Sequence, residues 1–302
     1  MSMSKECFEI LVLVEGGKGV PSVGDLRELT GLSEERVRES LGVLYMGGLL
    51  DDRGVTFAGS EALSPYRAKR AVFLAAGFGS RMLPVTLMTP KPLVMVNGTR
   101  IIDRLLDAVT AVGIKEIYIV VGYLSEVFRQ LLEKYPHITF IENPVYSKGN
   151  NISSAYFARD FFENAYVFES DLLLYNSELI TKYQYGSNYL GVPVKRTDDW
   201  CLLSQEGRIS AMQLGGENCY HMYSISYWTQ QDGVRLRHHL RDIYQQAQYR
   251  NIFWDQVPLE CFRDEYHVAI RECAFSDIVE IDTLKELMLI DPSYRYTVSN
   301  FS

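Results

Sequence analysis

The stretch that most restricts this chain is Ala71-Val-Phe-Leu-Ala-Ala-Gly-Phe-Gly-Ser-Arg81, followed ten residues later by Pro90-Lys91-Pro92. Ala71 to Ala76 is short, apolar and bulky, as a strand buried on both faces must be. It breaks into Gly77-Phe78-Gly79-Ser80-Arg81, a loop small enough for main chain to approach a ligand closely. Successive N–H groups in such a loop make an anion cradle, and the Arg81 guanidinium adds a planar fork of donors for phosphate oxygens. Lys91, stiffened by a proline on each side, supplies a second cation. Two commoner phosphate motifs are excluded. No Gly-Lys-Ser/Thr ending is present, and Met82 stands where the dinucleotide fingerprint needs its third glycine.

Strand and helix signals alternate after this loop. Thr99–Val112 has an apolar helical face, Glu116–Val121 is a buried strand, and Ser125 is placed to cap a helix through Tyr135. Ile138–Ile141 is a further strand, and Asn150–Ser154 opens another helix. Ala165–Asp171 and Phe275–Asp282 are strands that end in acids. The βαβαβ order predicts an α/β domain with a mostly parallel, Rossmann-like sheet and ligands at the carboxyl ends of its strands. Tyr189–Val194, Cys201–Leu203 with Ile209–Ala211, and Met222–Tyr227 read as additional strands, and Val234–Tyr249 as a long helix.

Residues 1–66 read as a separate small domain, with the α/β domain covering 70–302. Helix, helix, turn, helix and a Val55-Thr56-Phe57 wing give a winged-helix-like pattern, with Val37, Leu41, Val43 and Leu44 pointing inward. Charge argues against a nucleic-acid reader. Residues 1–69 hold 8 Lys/Arg and 11 Asp/Glu, a net of −3, where a groove binder needs a basic footprint. The net charge of −8 likewise disfavours general affinity for nucleic acid or an anionic membrane. Five scattered cysteines with no Cys-x-x-Cys pair fit neither a disulfide framework nor a zinc site. No apolar run is long enough for a membrane span and no signal peptide is visible, so a cytoplasmic location is expected.

The ordered string Leu-Ala-Ala-Gly-x-Gly-Ser-Arg-Met-x-Pro-x-Thr with Pro-Lys-Pro-Leu resembles nucleotidyltransferases that join an NTP to a phosphorylated small molecule. Further along, in the same order, come Val121-Gly122-Tyr123-Leu124, Asn143-Pro144, Asn150-Asn151-x-x-Ser154 and Glu169-Ser170-Asp171. Asp199-Trp200, Phe253-Trp254-Asp255 and Glu280-Ile281-Asp282 complete the set. From about residue 70 to 295 the chain is therefore similar to the bacterial CTP:phosphocholine cytidylyltransferases, within the sugar-phosphate nucleotidyltransferase fold.

The resemblance implies that Leu74, Ala75, Ala76 and Gly77 hold the nucleoside through main chain, and that Gly79, Ser80, Arg81 and Lys91 hold the triphosphate. It implies Tyr123, Asn143, Asn151 and Ser154 along the base and ribose, and Mg²⁺ on Asp171 and Asp282. Arg81, Lys91, Asp171 and Asp282 are then the catalytic set. Trp200, Phe253, Trp254 and Asp255 match a choline pocket, where aromatic faces and a carboxylate would each favour a quaternary ammonium. The implied substrates are CTP and phosphocholine, giving CDP-choline for cell-surface polymers.

Two departures stand out. Glu169 replaces the first Asp of a frequent Asp-x-Asp pair, and Met212–Asn218 lacks the lysine with which the sugar branch grips its phosphate. The competing readings are a nucleotidyltransferase for another phosphorylated alcohol or sugar 1-phosphate, and a CTP-sensing winged-helix regulator. Oligomeric state leaves no mark in the sequence, and a homodimer is an open option.

Overall fold

The computed structural model describes residues 3–17 and 19–295; the outermost residues of both expected domains lie outside that range. The chain divides into two compact units: residues 1–67 with 183–185, and residues 68–182 with 186–302.

In the first unit, α1 (Lys5–Gly16), α2 (Val23–Thr30) and α3 (Glu34–Met46) precede a minimal hairpin, β1 (Leu50–Asp51) and β2 (Gly54–Val55), and α4 (Phe57–Leu63). Ser4, Ser22 and Ser33 cap the first three helices, Ser22 reciprocally with Asp25, as short polar residues before an apolar periodicity should. Phe8, Ile10, Leu11, Leu26, Val37, Leu44 and Leu63 form the core, joined by Tyr183, whose hydroxyl donates to Glu15 at 3.1 Å. Two expectations fail here. Val43 is 55% exposed, because it lies one residue off the Val37–Leu44 face. Phe57 is not in the hairpin arm: Thr56 accepts from the Gly59 N–H and so starts α4, leaving the hairpin with arms of two residues. Arg36 and Arg38, the basic residues of α3, are paired with Glu6 at 2.9 Å and Glu34 at 2.7 Å.

The second unit is built on a seven-stranded sheet. Its elements are β3 (Arg70–Leu74), the small hairpin β4 (Met95–Val96) and β5 (Thr99–Arg100), α5 (Ile101–Ala111), β6 (Glu116–Val121), β7 (Ile138–Glu142) and α6 (Ile152–Ala158). Then come β8 (Ala165–Glu169), β9 (Leu172–Leu174), β10 (Asn188–Gln205), β11 (Arg208–Trp228), α7 (Gln230–Tyr244), β12 (Ala269–Glu272), β13 (Ile278–Glu280) and α8 (Leu284–Ile290). The strand order is β12-β10-β11-β8-β3-β6-β7. Strands β8, β3, β6 and β7 run parallel, while β11 is antiparallel to β8 and to β10.

Strand β3 shows why the sheet is covered on both sides. Ala71 and Phe73 enter one core with Ile102, Leu105 and Leu106 of α5, while Val72 and Leu74 enter another with Ile152 of α6 and Leu236 and Leu240 of α7. Successive side chains of one strand thus feed two helical layers. Ser125 makes no side-chain cap; Leu124, at φ 50°, starts a 3₁₀ helix from Ser125 to Glu133 instead. The three expected strand pieces after residue 188 are two long strands. Their outer halves fold over, so that Cys201 pairs with both Gln213 and His221, and Leu202 with both Met212 and Tyr220. The helix expected to start at Val234 starts at Gln230, because Thr229 accepts from the Asp232 N–H and caps it there. No helix among the described residues is long and apolar enough to cross a membrane.

Candidate functional site

Register places the chemistry. Leu74, the last residue of β3, pairs with Glu169, the last of β8, so the glycine loop and the acidic strand end emerge side by side. Ser170 ties them by donating to the Leu74 carbonyl at 2.9 Å. Strand β9 leaves the sheet and pairs with β13, Leu172 opposite Glu280, and the Ile281 N–H donates to the Asp171 carbonyl at 3.2 Å. That two-stranded clip brings together aspartates 111 residues apart in the chain, 171 and 282.

Lys91 lies between them. Its Nζ is 2.8 Å from Asp171 Oδ2 and 2.9 Å from Asp282 Oδ1. The exposed Arg81 reaches the same Asp282 oxygen at 2.7 Å. Burial works against the Lys91 charge, but the two carboxylates outweigh it and hold its pKa above the ordinary lysine value. The position is set by the loop. Gly79 has φ +62°, and a Cβ there would lie 3.0 Å from Lys91 Cβ and 3.1 Å from Thr86 Cγ2. Thr86 also donates to the Gly79 carbonyl at 2.9 Å. A side chain at 79 would be strained in backbone and crowded against the lysine stem.

Two pockets meet at this ion cluster. A cleft of about 420 Å³ is lined by residues 74–81, Lys91, Asn151, Ser154, Glu169, Asp171 and Asp282. A second pocket of about 320 Å³ is lined by Asp199, Trp200, Phe253, Asp255, Glu280 and neighbouring residues. Arg81, Glu169, Asp171, Phe253 and Asp282 belong to both. Two ligands held in these pockets would therefore face each other across the carboxylates.

Some expected site residues act from behind the surface. Asn143 is buried and donates to the hydroxyls of Ser153 at 2.9 Å and Ser154 at 3.1 Å, so it braces the start of α6 and does not line the cleft. Tyr123 also lies outside the lining; its hydroxyl donates to the carbonyls of Thr86 and Leu87 at 3.2 and 3.0 Å and steadies the loop before Lys91. Asn151 holds Glu169, donating to Oε1 at 2.6 Å, while its Oδ1 accepts from the Trp254 N–H at 2.9 Å.

Trp254 is the clear correction. It is 2% exposed, packed against Tyr189, Phe162 and Trp228, and lines neither pocket. In the turn around it, Phe253 and Asp255 reach the second pocket and the larger ring between them turns into the core. Trp200 does meet Phe253 edge to face, with ring centroids 5.5 Å apart. Truncating Trp254 to Ala should therefore cost about 3–5 kcal/mol of stability, read by denaturant unfolding. Trp200→Ala, at a half-buried position, should cost less stability than Trp254→Ala and raise the acceptor KM more than the nucleotide KM.

Glu280, the last residue of β13, was missed as a site group, although it stands only two residues before Asp282. Carboxylate oxygens of Asp171, Glu280 and Asp282 lie within 4.8 Å of one another. Asp171 Oδ1 is buried with no hydrogen-bond partner, an orphan that a cation would satisfy. The donor set is all oxygen, which suits Mg²⁺. Burial, reinforced by Asp171 and Asp282, raises the Glu280 carboxyl to about 8. Burial raises Asp255 to about 7, against the hydrogen bond it accepts from Tyr189 at 2.6 Å.

Both acids titrate above their unfolded values, so the folded protein holds the extra protons. Their contribution to stability is present below about pH 4 and is lost as pH rises through about 7 to 8. Thermal melts of the chelator-treated protein should fall between pH 5 and 8, and added Mg²⁺ should offset the fall at the upper end.

The family model for the MobA-like NTP transferase domain matches residues 71–189. The 2-aminoethylphosphonate cytidylyltransferase of Lancefieldella rimae is 36% identical over 230 residues, 75% of this chain and 93% of that one. The choline-phosphate cytidylyltransferase of Haemophilus influenzae is 31% identical over 72% of this chain and 93% of its own length. Among solved structures, the CTP:phosphocholine cytidylyltransferase of Streptococcus pneumoniae superposes with a TM-score of 0.69 at 26% identity, covering 76% of this chain and 99% of that one. The fold is thus the Rossmann-like nucleotidyltransferase α/β fold.

Proposed function

We propose a reaction for this chain, which belongs to the cytidylyltransferases of the MobA-like NTP transferase family: CMP passes from CTP to a small zwitterion bearing a phosphonate or phosphate at one end and an amine at the other, releasing pyrophosphate. The acceptor favoured is 2-aminoethylphosphonate. The observation that carries this choice is the lining of the second pocket. Among the described residues that line it, Glu169, Asp171, Asp199, Asp255, Glu280 and Asp282 face a single cation, Arg81, and Ser224 adds a hydroxyl. A primary ammonium donates three hydrogen bonds and needs acceptors of this kind.

A quaternary ammonium needs aromatic walls. With Trp254 withdrawn, the pocket keeps two, Trp200 and Phe253. That pair supports phosphocholine as the second reading.

In the reaction, an acceptor oxygen forms a bond to the α-phosphorus of CTP while the bond to the β-phosphate oxygen breaks. The phosphonate or phosphate loses its second proton near neutral pH, so no protein base is required. The residues act by holding and by charge. N–H groups of residues 75–81 and the Arg81 fork would bind the triphosphate, and Lys91 would offset the charge growing on the α-phosphate and the leaving group. Asp171, Glu280 and Asp282 would hold Mg²⁺, which when bound supplies charge neutralisation at the phosphates. Residues 1–66 are read as a winged-helix-like module, and residues 1–69 carry a net charge of −3.

Pyrophosphate release measured with CTP, UTP and ATP, each crossed with 2-aminoethylphosphonate, phosphoethanolamine, phosphocholine and glucose 1-phosphate, tests the reading. CTP with 2-aminoethylphosphonate should give the highest kcat/KM, about tenfold or more above phosphocholine. Preference for phosphocholine would establish the second reading, and preference for the sugar or for another base would sink both.

A further inference from the structure

We propose that Asp199, His221 and Glu280 form a second divalent-cation site, suited to Mn²⁺, Co²⁺ or Zn²⁺ and independent of which acceptor the enzyme uses. The three side chains come from β10, β11 and β13, and a ligating atom of each lies within 4.8 Å of the other two. They line a pocket of about 300 Å³ together with Ile278 and Val279 of β13. Glu280 makes no side-chain hydrogen bond or ion pair among the described residues. The Asp171 triad already has a resident counter-ion in Lys91, 2.8 Å from Asp171. Among the described residues no lysine or arginine lines the Asp199–His221–Glu280 pocket, although Asp282 and Glu286 add two further acids.

The histidine is held as a ligand must be. Its Nδ1 lies 3.3 Å from the Thr197 hydroxyl; with that oxygen accepting from Nδ1–H, Nε2 is the coordinating atom, and an outer partner of this sort helps to set the ring angle. Tyr223 and Phe275 pack against the ring with centroids 5.2 and 5.3 Å away, restricting its rotation. Asp199 Oδ1 accepts from the Trp200 N–H at 2.7 Å, leaving Oδ2 for the cation. One imidazole with two carboxylates is a donor set for borderline transition metals, whereas Mg²⁺ prefers oxygen alone. Glu280 is common to both triads, so the two ions would be neighbours. Since Asp199 precedes Trp200, the second ion would also anchor one wall of the acceptor pocket.

The test uses the chelator-treated full chain titrated with Mn²⁺, counting bound ions by the loss of the free-ion EPR signal. Wild type should bind two per chain and His221→Gln one. Asp171→Asn should keep the histidine-linked ion. Thr197→Val should weaken that ion about tenfold through loss of the outer contact. With Co²⁺, a visible spectrum of nitrogen ligation should appear in wild type and Asp171→Asn and be absent in His221→Gln. A single Mn²⁺ in wild type, or His221→Gln with unchanged stoichiometry and Co²⁺ spectrum, would overturn the assignment. Should the glutamine variant fail to fold, unchanged Mn²⁺ affinity in Thr197→Val would overturn it equally.

Discussion

Lys91→Met is expected to reduce kcat about 10²–10³-fold and, in the same protein, to lower stability by about 3–5 kcal/mol. The two losses share one cause. Asp171 and Asp282 both contact the Lys91 ammonium within 2.9 Å, and its side chain is only 11% exposed. Without it, two partly buried carboxylates repel each other with Arg81 alone to compensate, and the transition state loses a cation. Methionine keeps most of the stem volume, so packing around Gly79 and Thr86 is preserved and the charge effect is isolated. The signature is cation rescue: Mg²⁺ should raise the Tm of Lys91→Met more than that of wild type, while kcat stays low. Equal Tm shifts in both proteins would mean that the aspartates do not depend on the lysine for balance.

Asp171→Asn is expected to cost at least as much activity with the opposite effect on stability. The carboxamide keeps the volume and a hydrogen-bond acceptor for Lys91, and it removes one of three crowded acids. The melting temperature should hold or rise, turnover should fall about 10³-fold, and the stabilisation by Mg²⁺ should shrink. Single-turnover kinetics and melts with and without Mg²⁺ read both effects. Normal turnover would remove Asp171 from the ion-binding set.

The sequence carried the parallel half of the sheet well, because β3, β6 and β8 are continuous apolar runs whose neighbours are set by βαβ connections. It carried β9 and β13 poorly. Each has three residues, and their pairing is a long-range event that local pattern cannot register. The Asp171–Asp282 encounter was therefore reached through the family motifs and not through periodicity. The fold-over of β10 and β11 was equally hidden, so His221 could not be linked to Asp199. Phe253-Trp254-Asp255 shows a different limit. Three adjacent residues with suitable chemistry point in different directions, and only the buried neighbours Phe162, Tyr189 and Trp228 decide which ring leaves the pocket. Tyr123 and Asn143 had the right location but an indirect role, since a polar side chain next to a ligand loop can brace it as readily as touch the ligand.

The long β10–β11 excursion has an evolutionary corollary. Trp200, Met212, Leu214, Met222 and Ser224 of the second pocket all belong to it, whereas the first cleft draws on the loops after β3 and before α6. On the proposed reading, choice of donor and choice of acceptor are written largely in separate stretches of polypeptide, which share Arg81, Glu169, Asp171, Phe253 and Asp282. A lineage can retune one partner by drift in a single hairpin while the other stays under unchanged selection, and a graft of residues 195–218 between homologues is the laboratory version of that step.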